Sequence, residues 1–259
     1  MSTSQTLIAL MLSIAAGAAA AAPHSSTVDF SNGREEFQGI VPTDGSPGGT
    51  VIDTTLGNGA PAMRSTLVDS WGVYWGTSTN QAFVGDYSGL GSVTLGLDVS
   101  TQSITFRGDE VTRDLVVELR DYDNNSGSLP FTSVWYKLGT LDASKAGWQH
   151  LSVTIADTAS SLLPAGWGGY GAEDASGPVL PADRTFASVL AGVDEIVFTT
   201  MVPGHVYGYT NFDVAIDNIS IAAVPEPSTY GMLLGGLGLV GWMSRRKLRG
   251  ATAGAPAAA

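Results

Sequence analysis

The residues of this 259-residue chain that could do chemistry are mainly acidic side chains in and after strand-like segments. The segment from Asp121 to Gly127 places oxygen-bearing side chains, including Asp121 and Asp123, at alternating positions. Hard cations such as Ca²⁺ bind oxygen ligands of this kind. It is not an EF-hand loop, because Gly127 falls one position late and Thr132 stands where a bidentate Glu is required. The alternative is a hydrated turn after a strand.

A catalytic constellation is not recognisable in the sequence. Carboxylate pairs could supply a glycosidase acid and nucleophile, although adjacent carboxylates also occur in solvated turns. The pairs are Asp109–Glu110, Asp121–Asp123 and Glu173–Asp174. His24, His150 and His205 have no Cys or His at metal-ligand spacing, and no G-x-S-x-G motif occurs. We therefore expect a protein that is not an enzyme, with a glycan-acting hydrolase as an alternative.

Aromatic side chains supply a second candidate binding chemistry. Trp71 and Trp75 lie close together, and Trp167 and Tyr170 lie in a Gly-rich segment. Exposed aromatic rings can stack on the apolar faces of sugar rings, because they combine an apolar body with a polar edge. These four residues are predicted to bind a glycan, and the alternative is that they pack in the core.

Composition narrows the classes of partner. The formal net charge of −12 argues against nucleic acid, which requires basic patches. Residues 23–223 hold 23 of the 24 acidic residues but only eight of the twelve basic ones, a net charge of −15. The chain contains no cysteine, which excludes disulfides and thiolate metal sites. A hydrophobic fraction of 44% is sufficient for a packed core.

The two ends of the chain have the patterns of export and membrane segments. Residues 1–22 contain an apolar run, Leu7 to Ile14, followed by small residues, as in a cleaved signal peptide. Near the other end, residues 229–244 are uncharged and predict a short transmembrane helix. The basic cluster that follows predicts a cytoplasmic C-terminus. It consists of Arg245, Arg246, Lys247 and Arg249.

The residues before this apolar stretch carry a recognisable motif. Val224, Pro225, Glu226, Pro227 and Ser228 precede the apolar helix and the basic cluster in that order. Residues 224–250 thus resemble the PEP-CTERM sorting signals of Gram-negative bacteria, although the Ala-rich residues 251–259 extend beyond the usual end. The resemblance implies processing by an exosortase, initial anchoring by the C-terminal helix, and delivery to the cell surface, outer membrane or extracellular matrix.

The body, residues 23–223, reads as one domain of short strands separated by Gly, Asp, Asn, Ser and Pro. A short helix with an acidic first turn is predicted from Phe186 to Val193. A bulge is predicted at Asp217–Asn218, and a long loop is predicted from Leu162 to Pro181. The predicted strands are Ser92–Val99, Ile104–Arg107, Leu115–Arg120, Ser133–Leu138, Leu151–Ile155, Glu195–Thr200 and Phe212–Ile221.

Five segments of the body resemble the laminin B (domain IV) type of module. They are Phe83–Tyr87, Leu95–Val99, Arg184–Leu190, Glu195–Phe198 and Asp217–Ile221. The resemblance implies an all-β fold, a jelly-roll or galactose-binding-like β-sandwich with one short helix. The sequence departs from that module in lacking cysteines and flanking epidermal-growth-factor-like repeats.

The jelly-roll resemblance also implies possible ligands. Jelly-roll carbohydrate-binding modules often hold a structural calcium between their first and last strands, where Asp29 and either Asp213 or Asp217 lie here. We therefore expect an exported protein that associates with exopolysaccharide or another glycan and holds a structural Ca²⁺ ion. A purely structural surface or biofilm protein without a specific ligand is the alternative.

Overall fold

The computed structural model describes residues 25–43, 45, 47–59, 61–123 and 129–224, except for the side chain of Val224. The predicted signal peptide, residues 124–128 and the tail from Pro225 lie outside them. The elements are β1 (Ser26–Val28), β2 (Gln38–Gly39), β3 (Gly48–Asp53), β4 (Ala62–Ser70), β5 (Tyr74–Thr77), β6 (Ser92–Phe106), β7 (Asp109–Glu110), β8 (Arg113–Asp121), β9 (Thr132–Leu141), β10 (Gln149–Ile155), β11 (Trp167–Tyr170), β12 (Ala172–Asp174), β13 (Gly177–Val179), α1 (Phe186–Leu190), β14 (Glu195–Thr199) and β15 (Thr210–Val224).

Two antiparallel sheets form the sandwich. Sheet A has the order β10-β6-β15-β4-β3, with β1 added to β15 and β7 added to β6. Sheet B has the order β11-β9-β8-β14-β5-β2, and β12 and β13 form a separate hairpin. The all-β sandwich with one short helix is therefore confirmed.

The core lies between the sheets and follows the period-two alternation of the strands. On β6, Val93, Leu95 and Leu97 are fully buried, and on β8 Leu115 and Leu119 face them from the other sheet. Successive side chains of a strand point to opposite faces, so each apolar residue of the alternating set enters the core. Burying each such side chain stabilises the fold by about 1.5–3 kcal/mol.

The predicted bulge in the last strand is confirmed. The register of β15 against β6 shifts between Asp217 and Ser220, and Asn218 has a positive φ of 49°. Asn tolerates this left-handed conformation better than most residues. The bulge corrects the alternation, because Ile216 and Ile219 are both fully buried although they are three residues apart.

Several predicted boundaries are wrong. The predicted strand Ser92–Val99 and residues 104–106 of the predicted strand Ile104–Arg107 belong to one 15-residue strand, β6, and Arg107 lies just beyond its end. The predicted loop from Leu162 to Pro181 contains β11, β12 and β13, and β1 to β5 were not predicted.

The predicted helix is shorter than expected. It ends at Leu190, and its N-cap is Thr185, which forms a capping box with Ser188. Asp183 precedes the N-cap, so the first turn is not acidic. No helix within the described ranges is long and apolar enough to cross a membrane, and the predicted span at residues 229–244 lies outside those ranges.

A buried ion pair fixes the helix against sheet B. The guanidinium of Arg184, just before α1, donates to Asp121 at the end of β8, and the side chain of Asp121 is fully buried. Arg184 also donates to the backbone carbonyl of Ser188 at 3.2 Å. Asp121, one of the predicted calcium ligands, therefore faces a guanidinium in the structure.

We expect Arg184→Met to lower the free energy of unfolding by about 3–5 kcal/mol, because it leaves the buried Asp121 carboxylate without its guanidinium. The matched control is Lys137→Met, which removes the partly exposed pair of Lys137 with Asp114 and should cost no more than about 1 kcal/mol. Urea unfolding of the full chain in mild detergent, followed by tryptophan fluorescence, measures both. Equal effects would contradict a structural role for the buried pair.

Candidate functional site

The face of sheet B that points away from the core carries a row of polar and aromatic side chains. The strand register pairs Arg120 on β8 with Glu195 on β14 and with Ser133 on β9. Ser133 in turn pairs with Tyr170 on the edge strand β11. Glu118, two residues before Arg120, shares this face because side chains alternate along a strand.

Arg120 is the centre of this row. Its guanidinium donates to Glu118 Oε2 at 2.6 Å and to Glu195 Oε2 at 3.0 Å. Burial lowers the pKa of Arg120, but the two carboxylates outweigh burial and raise it. The side chain is therefore a permanently charged bridge between β8 and β14. Ser133 donates to the other oxygen of Glu118 at 2.6 Å.

Two tyrosine hydroxyls complete the hydrogen bonding of Glu195. Tyr74 donates to Oε1 at 2.5 Å and Tyr122 donates to Oε2 at 2.8 Å. Burial and the bond to Glu195 raise the pKa of both tyrosines, so both hydroxyls keep their protons. The ring of Tyr74 reaches Glu195 by crossing Gly76, where a Cβ atom would lie 2.7 Å from the Tyr74 hydroxyl.

Three aromatic rings lie above this network. Phe131 stacks on the guanidinium of Arg120 at 4.5 Å, a cation–π contact. Its ring centroid lies 5.4 Å from that of Tyr122 and 5.5 Å from that of Tyr170. Tyr122 is 41% exposed, and Phe131 and Tyr170 are half-buried. The rings form a platform, Tyr122–Phe131–Tyr170, whose central member is fixed by a charge beneath it.

A groove of about 450 Å³ runs beside this platform. Glu118, Arg120, Phe131 and Tyr170 line one side, and the loop Met201–Val206 between β14 and β15 lines the other. The volume lies in the usual range for ligand sites, about 300–1,000 Å³. We call this feature the sheet B groove. It combines aromatic rings with charged hydrogen-bonding groups.

The predicted aromatic ligands separate into different places. Trp75 is fully buried and donates its Nε1 to Ser65 at 2.9 Å. Trp167 is only 8% exposed and packs on Phe186. Both predictions of an exposed ligand ring are corrected, because these side chains fall on the inward face of their strands.

The two other predicted ligand rings reach the surface. Tyr170 lies in the sheet B groove. Trp71 is 50% exposed but lies at the end of the sandwich, in the connection between β4 and β5. The predicted aromatic set therefore does not form one site.

The predicted carboxylate pairs lie in three different places, and Glu173 of one pair lines the sheet B groove. Asp109–Glu110 forms the exposed strand β7. Glu173–Asp174 lies in the β12–β13 hairpin, where Asp174 accepts from Ser176 in a turn. Asp123 donates its backbone N–H to Asp121.

Of the predicted calcium ligands, Asp29 and Asp217 lie near enough to interact electrostatically, whereas Asp213 is paired with Arg64. Asp213 binds Arg64 through both carboxylate oxygens at 2.8 Å. Asp217 is almost fully buried, and burial raises its pKa, with further contributions from the charges of Asp98 and Asp29. Within the part of the chain that the structure describes, no group of three or more His, Cys, Asp or Glu residues could hold a metal ion. Calcium stays a prediction.

Asp98 and Asp217 lie side by side on the outer face of sheet A with contrasting surroundings. Asp98 lies 2.8 Å from His150 and accepts from the side chains of Asn58 and Asn218. Burial raises its pKa, but these hydrogen bonds outweigh burial and lower it. Asp217 accepts the backbone N–H groups of the same two asparagines, and burial raises its pKa. The pKa values of the two neighbouring carboxyl groups are therefore shifted in opposite directions.

The network residues Glu118, Arg120 and Glu195 were not predicted as a site. A signal existed in the sequence, since Glu118 and Arg120 interrupt the apolar strand Leu115–Arg120 with two-residue spacing, as residues of one face do. Phe131 gave no comparable signal. Its position over Arg120 depends on how β9 pairs with β8.

Comparison with known families concerns the end of the chain. The model of the PEP-CTERM protein-sorting motif matches residues 223–247. The chain carries a PEP-CTERM sorting motif. The match includes the predicted motif Val224–Ser228 and the basic residues Arg245, Arg246 and Lys247, and Arg249 lies just beyond it. The protein is thus an exported, exosortase-processed protein with a C-terminal membrane-anchoring region.

Curated proteins give no match to this chain. Among solved structures, this chain is similar to an endo-1,4-beta-D-xylanase 10B fragment of Clostridium thermocellum with CBM22-1 and GH10 modules, complexed with xylohexaose. The two chains share 12% sequence identity with a TM-score of 0.42. The alignment covers 78% of this chain and 29% of the xylanase chain. This chain is also similar to a family 22 xylan-binding domain (12%, TM-score 0.41, 78% and 96% covered). A third similar structure is a family 30 carbohydrate-binding module, with 19% identity and a TM-score of 0.37; the alignment covers 78% of this chain and 92% of that module. The chain thus spans less than a third of the xylanase fragment.

We expect Asp98→Asn and Asp217→Asn to respond oppositely to pH. The folded pKa of Asp98 is lowered, so its stabilisation is present above the unfolded pKa of about 3.9 and is lost as the pH falls through the folded pKa. Asp98→Asn should therefore destabilise more at about pH 6 than at about pH 3. The folded pKa of Asp217 is raised, so its stabilisation is present below the unfolded pKa and is lost as the pH rises through the folded value. Asp217→Asn should destabilise less at the higher pH.

Urea unfolding of both variants and the parent full chain at the two pH values measures these differences. Leu162→Ala, which changes an exposed apolar side chain and no titratable group, is the control for general acid effects. A pH response of the same sign in both variants would contradict the assignment of opposite pKa shifts.

Proposed function

We propose that the exported domain binds a neutral glycan in the sheet B groove. The observation that supports this most is the Tyr122–Phe131–Tyr170 platform resting on the Arg120 network. Aromatic rings offer a flat apolar surface for the C–H face of a sugar ring. The charged and hydroxyl groups beside them supply the few placed polar contacts that orient a ligand.

The groove is already rigid, which favours binding. Arg120, Glu118 and Glu195 hold one another, and the Tyr74 and Tyr122 hydroxyls are fixed by Glu195. A site whose side chains are held before binding loses less conformational entropy when the ligand arrives. The proposed ligand is an extended chain of sugar units, because three neighbouring rings line or flank the groove.

The charge of the groove favours a neutral glycan over an acidic one. Glu118, Glu173 and Glu195 outnumber Arg120 in and beside it. The body of the domain carries a net charge of −15. Like charges across an interface are unfavourable, so a polyuronate or other polyanion would be repelled.

The same network supports binding rather than hydrolysis. A glycosidase requires a carboxylic acid that carries a proton. The four carboxylate oxygens of Glu118 and Glu195 all accept hydrogen bonds, from Arg120, Ser133 and the two tyrosines. Because these oxygens are engaged within the network, the two side chains hold the rings in place rather than present a free acid to a ligand. We therefore propose that the protein is not an enzyme.

Export brings the domain to the glycans outside the cell. We propose that it acts at the cell surface, the outer membrane or the extracellular matrix, in association with exopolysaccharide. A purely structural surface protein without a ligand is the opposing outcome of the binding experiment.

We expect Tyr170→Ala to weaken binding of a neutral hexasaccharide about tenfold, because it removes one end of the platform. A tenfold loss corresponds to about 1.4 kcal/mol, an ordinary size for an aromatic contact at an interface. Leu162→Ala is the control, since Leu162 is 76% exposed and does not line the groove. Calorimetry with the full chain in mild detergent measures xylohexaose, cellohexaose and laminarihexaose, with hexagalacturonate as the acidic comparison.

Binding of hexagalacturonate in preference to every neutral hexasaccharide would contradict the charge argument. Binding of none of them by the parent chain would contradict the proposed function and favour the structural alternative.

A further inference from the structure

An exposed aromatic pair lies at one end of the sandwich, away from the sheet B groove. Trp71 is 50% exposed and Tyr209 is 53% exposed, and their ring centroids are 4.3 Å apart with planes tilted by 44°. The register explains the pairing, because Ser70 at the end of β4 is opposite Thr210 at the start of β15. Both rings thus remain at the surface although they contact each other.

Polar groups border this pair. A cavity of about 400 Å³ is lined by both rings and by Asp69, Arg107 and Asn211. Asn211 accepts the backbone N–H of Asp69 at 2.9 Å, which fixes its amide beside the rings. Asp69 and Arg107 both have positive φ, 50° and 55°. Non-glycine residues adopt this conformation at a cost, and such positions are concentrated at ligand sites.

Trp71 lies where three hollows meet. Besides the cavity with Arg107, it lines one of about 480 Å³ towards Ile40 and Leu67 and one of about 370 Å³ towards Val206. Three hollows that share one exposed indole suit an elongated ligand that passes over the ring. A single small molecule would occupy only one of them.

The charges of the cavity identify the chemistry of the ligand. Its charged lining residues are Asp69 and Arg107, whose formal charges cancel. Exposed rings flanked by an amide, a carboxylate and a guanidinium match the alternating apolar faces and hydroxyl edges of a sugar chain. A neutral glycan fits this balance better than a charged polymer, which a net neutral surface would not attract.

The aromatic pair also lies at the end of the domain opposite the sorting motif. The strand β15 runs from Thr210, next to Tyr209, to Val224, where the motif begins. A 15-residue strand extends roughly 45 Å at about 3.3 Å per residue. Only four residues separate Val224 from the predicted span at residue 229, and they reach at most about 14 Å. The pair therefore lies at the end of β15 that is distant from the predicted span.

We propose that Trp71 and Tyr209 form a second glycan-binding site at this membrane-distal end, separate from the sheet B groove. The loop Met201–Val206 divides the two sites, because Met201, His205 and Val206 line both the groove and the hollow beside Trp71. The choice of ligand class rests on the proposed function, but the location of the site does not. Two sites on one domain bind one long polysaccharide with greater avidity than either site alone.

The test compares Trp71→Ala, Tyr209→Ala and Tyr170→Ala in the full chain, in mild detergent. Affinity electrophoresis in gels that contain arabinoxylan, mixed-linkage β-glucan or galactomannan measures binding to long neutral chains, and calorimetry with the neutral hexasaccharides measures the groove. We expect Trp71→Ala to weaken polysaccharide binding about tenfold and to leave the hexasaccharide affinity of the groove within about twofold. Trp71→Phe, which keeps an aromatic ring, should retain most of the binding. The melting temperature of each variant shows whether its fold is intact.

The outcomes separate the two proposals. If Tyr170→Ala abolishes polysaccharide binding and Trp71→Ala changes nothing, the second site is wrong and the groove stands. If only the Trp71 and Tyr209 variants lose binding, the second site stands and the groove is wrong. If the parent chain sediments as a dimer and Trp71→Ala as a monomer, the aromatic pair is a self-association surface and the glycan assignment is overturned.

Discussion

The salt bridges of Arg120 to Glu118 and Glu195 are the interaction on which the outer face of sheet B depends. Removing the carboxylates from a guanidinium shielded from water is strongly destabilising, and here the guanidinium joins strands that are adjacent in the sheet but distant in the sequence. Phe131 stacks on the guanidinium, and two tyrosine hydroxyls are fixed by Glu195. The charge network thus positions the rings.

The two sheets have different tasks. Sheet A contains β15, which connects directly to the sorting motif, and its outer face carries the self-contained row of Asp98, Asp217 and their asparagines. Sheet B carries the groove, and the loop from β14 to β15 borders it. The groove therefore lies on the sheet that does not contain β15, the strand that leads into the sorting motif.

The fold was predictable where one face of a strand is buried. Segments such as Ser92–Val99 alternate cleanly, and even the bulge at Asp217–Asn218 appears as a break in that alternation. The strands β1 to β5 are rich in Gly, Ser and Thr and have little alternation, so tertiary pairing determines them. The site was less predictable, because burial of Trp75 and Trp167 and the meeting of Arg120 with Glu195 depend on which strands become neighbours.

Hydrogen–deuterium exchange of the full chain with and without a saturating neutral hexasaccharide tests the central claim most directly. Binding in the groove should slow exchange in the edge strand Trp167–Tyr170, because Tyr170 lines the groove and not the hollows beside Trp71. Exchange in Gly48–Asp53, at the edge of sheet A, should be unchanged. Protection confined to sheet A, or binding without protection of Trp167–Tyr170, would contradict the assignment of the glycan to sheet B.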